Sequence, residues 1–207
     1  MLSFDTFPVG PIACNCVLVW NSESGVGVVV DPGGDPDRIR FRVEAKGFKV
    51  EALLHTHAHF DHVGATKELQ EFWQCPAYLH TDDNYLIDAL DLQTGLFGVP
   101  AVPRPVMVAM NAGEVLHGLM VRHTPGHSQG SCCFVGDSER GQVVLAGDTL
   151  FQGGVGRTDV LGGNQDILMK SIRRELYSLP DTTLVLPGHG PATTIGDEAR
   201  WNPFIRR

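Results

Sequence analysis

At 207 residues the chain has room for one domain of ordinary size and at most a small appendage, not for a second catalytic module. With 43% apolar and 19% charged residues it is globular in composition, which excludes a disordered, collagen-like or coiled-coil chain. The 24 acidic against 16 basic residues give a net charge of −8, and the densest basic stretch, Arg38 to Lys49, reads as one solvated helix face, so a nucleic-acid partner is disfavoured. No apolar run approaches the roughly 20 residues of a membrane span, and Met1-Leu2-Ser3-Phe4-Asp5 lacks the features of a signal peptide. A cytoplasmic protein acting on a small molecule is expected, with neither nucleic acid nor membrane as partner; oligomeric state is left open. Cys14, Cys16, Cys75, Cys132 and Cys133 are odd in number and contain no C-x-x-C, so they read as reduced, partly buried thiols.

In chain order, Ile12–Trp20 and Val26–Asp31 read as adjacent strands. Asp35-Pro36 predicts a helix N-terminus, with Ile39 and Val43 on its apolar face and Gly47-Phe48 at its end. Val50–Leu54 is the next strand, then a histidine-rich loop, a helix over Gly64–Gln74, a strand at Ala77–His80 and a helix over Asp82–Leu92 capped by Asp82. Gln93–Asn111, with Pro100, Pro103 and Pro105, reads as the longest irregular segment and a candidate lid. Strands follow at Glu114–His123, Ser131–Val135 and Val143–Ala146, then a helix near Gln165–Ser178, a strand at Thr183–Leu186 and a short helix after Ile195. Two batches of strands, each followed by helices, predict an α/β (α+β) protein: an αββα sandwich of two mixed sheets face to face with helices on both outer faces, one domain over 1–207.

Nine histidines spread evenly would put about 0.35 into an eight-residue window, yet His55, His57, His59 and His62 share one, together with Asp61. The string Thr56-His57-Ala58-His59-Phe60-Asp61-His62 follows a strand and leads into a helix, so it is a loop at a sheet's end, where sites are usually built. His57 and His59 project to one side of an extended segment, and Asp61 and His62 can face a second point. Imidazole and carboxylate ligate Zn²⁺ and similar cations, and four such groups exceed what one structural zinc takes from a single loop; two metals are implied. Further ligands stand after later apolar runs and beside glycine: His127 in Thr124-Pro125-Gly126-His127-Ser128, Asp148 in Gly147-Asp148-Thr149 and His189 in Pro187-Gly188-His189-Gly190.

The H-x-H-x-D-H loop, the later His, the G-D-T Asp and the terminal G-H-G resemble the metallo-β-lactamase superfamily, from Asp31-Pro32-Gly33 to Asn202-Pro203-Phe204. Gly156-Arg157-Thr158-Asp159, Gly188-His189-Gly190-Pro191 and Thr193-Thr194-Ile195-Gly196 are similar to the compact bacterial hydrolases related to hydroxyacylglutathione hydrolase (glyoxalase II). The resemblance implies that His57, His59 and His127 bind one metal, that Asp61, His62 and His189 bind the second, and that Asp148 bridges them. The ions are two divalent metals, zinc first, with iron or manganese as alternatives. An aspartate at the bridge implies a hydrolase other than a true β-lactamase. No counterpart of glyoxalase II's glutathione-binding helical extension is found in the 207 residues, so thioester hydrolysis with a loosely recognised thiol half is expected.

Two close cations sharing a water lower its pKa toward neutrality, making a metal-bridging hydroxide the expected nucleophile. Asp61 is the expected catalytic residue, orienting that nucleophile and later moving its proton, and thiolate leaves without strong acid assistance. Asp31 is expected to orient a ligand histidine; His55, His80, His117 and His123 read as structural. Arg157 and Asp159 read as an ion pair, or Arg157 as a contact for an anionic substrate. Gly126-His127-Ser128-Gln129-Gly130 also matches the G-x-S-x-G elbow of serine hydrolases, but that elbow needs a helix directly after the serine, whereas Ser131–Gly136 reads as a strand. A persulfide dioxygenase with one iron on His57, His127 and Asp148, a lactonase on the same residues and a non-catalytic metal-binding module are the other readings.

Overall fold

The computed structural model describes Met1–Arg207, and its chain contacts separate two compact units, Met1–Met110 and Asn111–Arg207. In the first, the strands are β1 (Leu2–Val9), β2 (Cys14–Asn21), β3 (Val26–Val30), β4 (Lys49–Leu54), β5 (Ala77–His80) and β6 (Met107–Met110). The tight connections from β1 to β3 give antiparallel pairs, and β3 to β6 pair parallel in sequence order. Parallel neighbours need crossovers, and the helices supply them. They are α1 (Pro36–Lys46) between β3 and β4, α2 (Phe60–Val63) and α3 (Thr66–Trp73) between β4 and β5, and α4 (Asn84–Asp88) and α5 (Leu90–Phe97) between β5 and β6. One face of the buried runs in β2 and β3, Cys16, Leu18 and Val29, and the Ile39/Val43 face of α1 meet in one core with Phe7, Leu53 and Leu69, closed by Trp20 stacked on Phe48 at 5.5 Å. A second cluster of Ala58, Phe60, Val63, Leu79, Leu86 and Leu90 lies beneath the histidine loop.

The second unit opens with a hairpin of β7 (Val115–Leu116) and β8 (Leu119–His123), turned at His117 and Gly118, both with positive φ. Then β9 (Cys132–Ser138) and β10 (Gly141–Gly147) continue the antiparallel run from β8. After the small hairpin β11 (Leu150–Phe151) and β12 (Gly154–Val155), helix α6 (Gln165–Ser171) and a π-helical turn over Ile172–Leu176 cross over to β13 (Leu184–Pro187), which pairs parallel with β10. A short β14 (Thr193–Thr194) and α7 (Ile195–Trp201) complete the unit. Its core gathers Cys133, Val144, Leu168, Ile172, Val185 and Ile195. Tyr177 is buried there, and its hydroxyl donates to the Ile205 carbonyl at 3.0 Å; burial pushes the phenol up to about 12, so it stays a donor across the working pH range. Tyr177→Phe should therefore cost about 1 kcal/mol in urea unfolding, with the unit otherwise intact.

One strand was not predicted, and three readings of the sequence are corrected. The N-terminal residues form the full strand β1. Asp35 sits at the N-cap of α1 in the left-handed region (φ 49°) without capping the helix; its carboxylate accepts from the Gly10 N–H at 3.0 Å. The residues read as one helix over Asp82–Leu92 are a 3₁₀ turn at Thr81–Asp83 and two helices, with the His80 ring accepting from the Asp82 N–H. The segment read as irregular over 93–111 carries most of α5 and all of β6, which leaves only Gly98–Val106 without regular structure. All five cysteines are buried and free. No helix is long and apolar enough to cross a membrane.

Candidate metal centre

The first unit gathers His57, His59, Asp61 and His62 at the C-terminal end of β4. Helix α2 begins at Phe60, inside the motif, so Asp61 and His62 project from a helical turn while His57 and His59 precede it on extended backbone. His57 Nε2 and His59 Nδ1 lie 3.0 Å apart, and His62 Nε2 lies 3.4 Å from Asp61 Oδ2. Two nitrogens on one tetrahedral zinc stand about 3.3 Å apart, so both separations suit ligands converging on a cation. His57, Asp61 and His62 are each 5% exposed or less, and such a group of imidazoles and carboxylate is costly to bury without one.

The supporting contacts fix which ring nitrogen faces the metal. Asp31 Oδ2 is 3.0 Å from His62 Nδ1 and accepts from the Thr56 hydroxyl at 2.7 Å, while its Oδ1 accepts from the Thr56 N–H; Thr56 Oγ1 is in turn 3.1 Å from His57 Nδ1. One buried carboxylate thus orients two histidines with Nε2 outward. Asp31 holds φ at 50°, a left-handed conformation that aspartate tolerates better than most residues. Two residues on, a Cβ on Gly33 would stand 1.5 Å from the Asp61 carbonyl oxygen, so only glycine lets the Asp31 turn approach α2. Cys14 Sγ lies 3.5 Å from His62 Nδ1, and burial pushes its thiol up to about 12. His55 bonds Tyr78 O and Thr66 Oγ1 in the core, and burial holds its pKa below the ordinary histidine value.

The second unit brings His127, Asp148 and His189 together. Asp148 Oδ2 is 3.7 Å from His127 Nε2 and 3.8 Å from His189 Nε2. The β10–β13 register shifts between Leu145 and Gly147, just before Asp148, and the Gly188 N–H donates to Gly147 O at 2.8 Å, which ties the two ligand turns together. His127 Nδ1 is 2.7 Å from the Arg157 carbonyl, so its Nε2 is the nitrogen left to ligate. Gly156 makes that approach possible, since a Cβ there would meet Asp148 O at 1.9 Å. Arg157 and Asp159 form an exposed bidentate pair at 2.9 and 3.0 Å. The Asn202-Pro203-Phe204 motif also finds its role here: buried Glu198 accepts from the Gly153 N–H and from Asn202, which donates to Gly154 O, strapping the β11–β12 hairpin that follows Asp148. The Ser128 hydroxyl is buried at 2.7 Å from Ser131 Oγ, and β9 follows instead of a helix, so the nucleophile elbow is not built.

Neither Cys14 nor the loop-holding Asp83 and Gln93 stood out in the sequence: each lies 25 or more positions from the residue of the histidine loop that it touches, and nothing local marks it. The donors are imidazoles and carboxylates, with the Cys14 thiol beside Asp61 and His62, a set that suits first-row divalent cations.

Residues 9–189 match the metallo-β-lactamase superfamily. The chain belongs to the metallo-β-lactamase superfamily, and its donor set is that of a metal-dependent hydrolase of this superfamily. Among its relatives, a Bacillus subtilis protein named as a probable metallo-hydrolase, YqgX, is 42% identical over 205 residues, covering 96% of this chain and 95% of its own. The Haemophilus influenzae hydroxyacylglutathione hydrolase GloC is 35% identical over 211 residues, covering 99% and 98%. The crystal structure of TTHA1623 in a di-iron-bound form superposes with a TM-score of 0.90 at 41% identity, covering 97% of this chain and 100% of that one. That of the B3 metallo-β-lactamase BLEG-1 superposes at 0.89 and 37%, covering 98% and 99%. The two mixed α/β units are thus those of the metallo-β-lactamase fold.

Proposed function

We propose that the two donor sets serve one dinuclear centre and that the protein hydrolyses thioesters of the S-lactoylglutathione type. His57, His59 and His127 would hold the first ion and Asp61, His62 and His189 the second, with Asp148 serving both. The observation that carries the reading is Asp148 Oδ2, near-equidistant at 3.7 and 3.8 Å from the two histidines that belong to different ions. Two bound divalent cations, zinc or alternatively iron or manganese, supply an ionised water at neutral pH and stabilise negative charge developing on the acyl oxygen. Asp61 would help to hold the second ion, and its carboxylate would orient the attacking water and take up its proton. Asp31 and the Arg157 carbonyl keep His62 and His127 in the tautomer that ligates through Nε2.

The thioester assignment draws on the similarity to GloC, which extends over 98% of that protein. The one-iron dioxygenase reading gives no role to Asp61, His62 or His189, although Asp31 is built to orient His62. Ring opening of a β-lactam is the second reading, suggested by the similarity to BLEG-1 and opposed by the aspartate at the bridging position. The test is a turnover panel of S-lactoylglutathione, simpler acyl thioesters, a lactone, a cephalosporin and glutathione persulfide, with metal analysis of the same sample. About two equivalents of metal per chain and fastest turnover of thioesters are expected. One tightly held iron with oxygen consumed on the persulfide would overturn the proposal, and preference for the cephalosporin would replace thioesters with β-lactams. The reading also places the protein in the cytoplasm with a small-molecule substrate, and without nucleic acid or membrane as partner.

A further inference from the structure

We propose that Gln93 and Asp83 are positioning residues for the His57–His59 ligand segment, an inference that rests on the metal-centre reading above. In extended backbone the N–H and C=O of one residue and the N–H two residues on point to the same edge, so this segment presents Ala58 N–H, Ala58 C=O and Phe60 N–H together. Ala58 is fully buried and Phe60 nearly so, which makes each of these groups expensive to leave unpaired. No strand pairs with this edge. Instead Asp83 Oδ2 accepts from the Ala58 N–H at 3.2 Å, Gln93 Oε1 accepts from the Phe60 N–H at 3.0 Å, and Gln93 Nε2 donates to Ala58 O at a long 3.4 Å. The Gln93 amide does the work of a missing strand on both sides of His59.

The clamp is itself fixed. Gln93 Nε2 also donates to Leu86 O at 2.8 Å, which sets the amide's orientation, and one helical turn on, the Phe97 ring packs 4.9 Å from the Phe60 ring. Asp83 is fully buried, a location that a carboxylate occupies only when hydrogen bonded. His62 and Asp61 are held by other means, through Asp31 and the close approach at Gly33. Asp31 acts on both halves, directly on His62 and through Thr56 on His57, whereas the Asp83 and Gln93 bonds are confined to the backbone of Ala58 and Phe60 on either side of His59, so loosening Gln93 should weaken the ion on His57 and His59 more than the ion on Asp61 and His62.

The test is stepwise zinc titration of the stripped full-length protein against a chromophoric chelator, at a temperature where circular dichroism shows every variant folded. Gln93→Met keeps the volume and removes the amide. It should weaken one binding step by about 10- to 100-fold and leave the other within about threefold. Thr94→Val, next along α5, loses only hydrogen bonds to Leu90 O and Asp91 O inside the helix and should leave both steps unchanged while lowering stability comparably. Asp83→Leu should weaken the same step as Gln93→Met, and Asp83→Asn, which retains an acceptor for the Ala58 N–H, should restore it. Two steps of wild-type strength in Gln93→Met, or equal weakening of both steps in Gln93→Met and Thr94→Val alike, would overturn the clamp. A wild-type protein that takes up no zinc would instead overturn the metal-centre reading, and the inference with it.

Discussion

Asp148→Ala should lower kcat on a thioester by about a thousandfold or more, equivalent to roughly 4 kcal/mol of barrier, and reduce bound metal from two equivalents toward one or none. The reason is a single carboxylate oxygen that lies 3.7 Å from His127 Nε2 and 3.8 Å from His189 Nε2. Ser128→Ala removes a hydroxyl that bonds Ser131 within its own turn and should leave kcat within about threefold. Measuring kcat and metal content for both variants, with folding checked by circular dichroism, separates the two possible nucleophiles. A dead Ser128→Ala beside a near-normal Asp148→Ala would sink the metal mechanism, since a covalent nucleophile cannot be dispensed with.

Gly33→Ala should destabilise the protein by about 3 kcal/mol or more, at the upper end of what one added methyl costs in a packed region. The obstacle is backbone: the Asp61 carbonyl oxygen stands where the methyl would go, and moving it means moving α2, which carries Asp61 and His62. Weakened metal binding should accompany the loss of stability. Gly47→Ala provides the comparison. That residue has φ 71° at the end of α1 with open space around it, so its cost is conformational only, about 1 kcal/mol. Urea unfolding with metal present and absent measures both, and equal costs for the two variants would show that α2 yields to the methyl.

The ligand-bearing strings were legible because metal chemistry restricts donors to few residue types and because sheet ends place them beside glycine. His57, His59, Asp61 and His62 stand in one short stretch, and Asp148 and His189 each follow an apolar strand that alternation and β-branched residues announce. The helix α1 was legible from Pro36, the Ile39/Val43 spacing and Gly47. Harder were the positions where a side chain's partner is remote. Asp35 has the sequence of an N-cap, yet Gly10 claims its carboxylate; Asp82 looks like the cap of a helix, while the buried Asp83 beside it holds the metal loop. The prolines at 100, 103 and 105 suggested irregular chain as far back as Gln93, but α5 continues to Phe97 because Leu90 and Thr94 pack inward and Gln93 bonds the loop.

By itself the sequence determined which donors are available and where most of the longer strands run, since both follow from local residue chemistry and from patterns a few residues long. Only the tertiary structure decided which nitrogen each histidine presents, that Asp31 and the Arg157 carbonyl enforce it, that Asp148 faces two histidines with one oxygen, and that Gln93 and Asp83 pair the backbone around His59. Those outcomes depend on contacts between residues 21 or more positions apart, whose geometry is set by how helices pack on sheets and leaves no periodic trace along the chain.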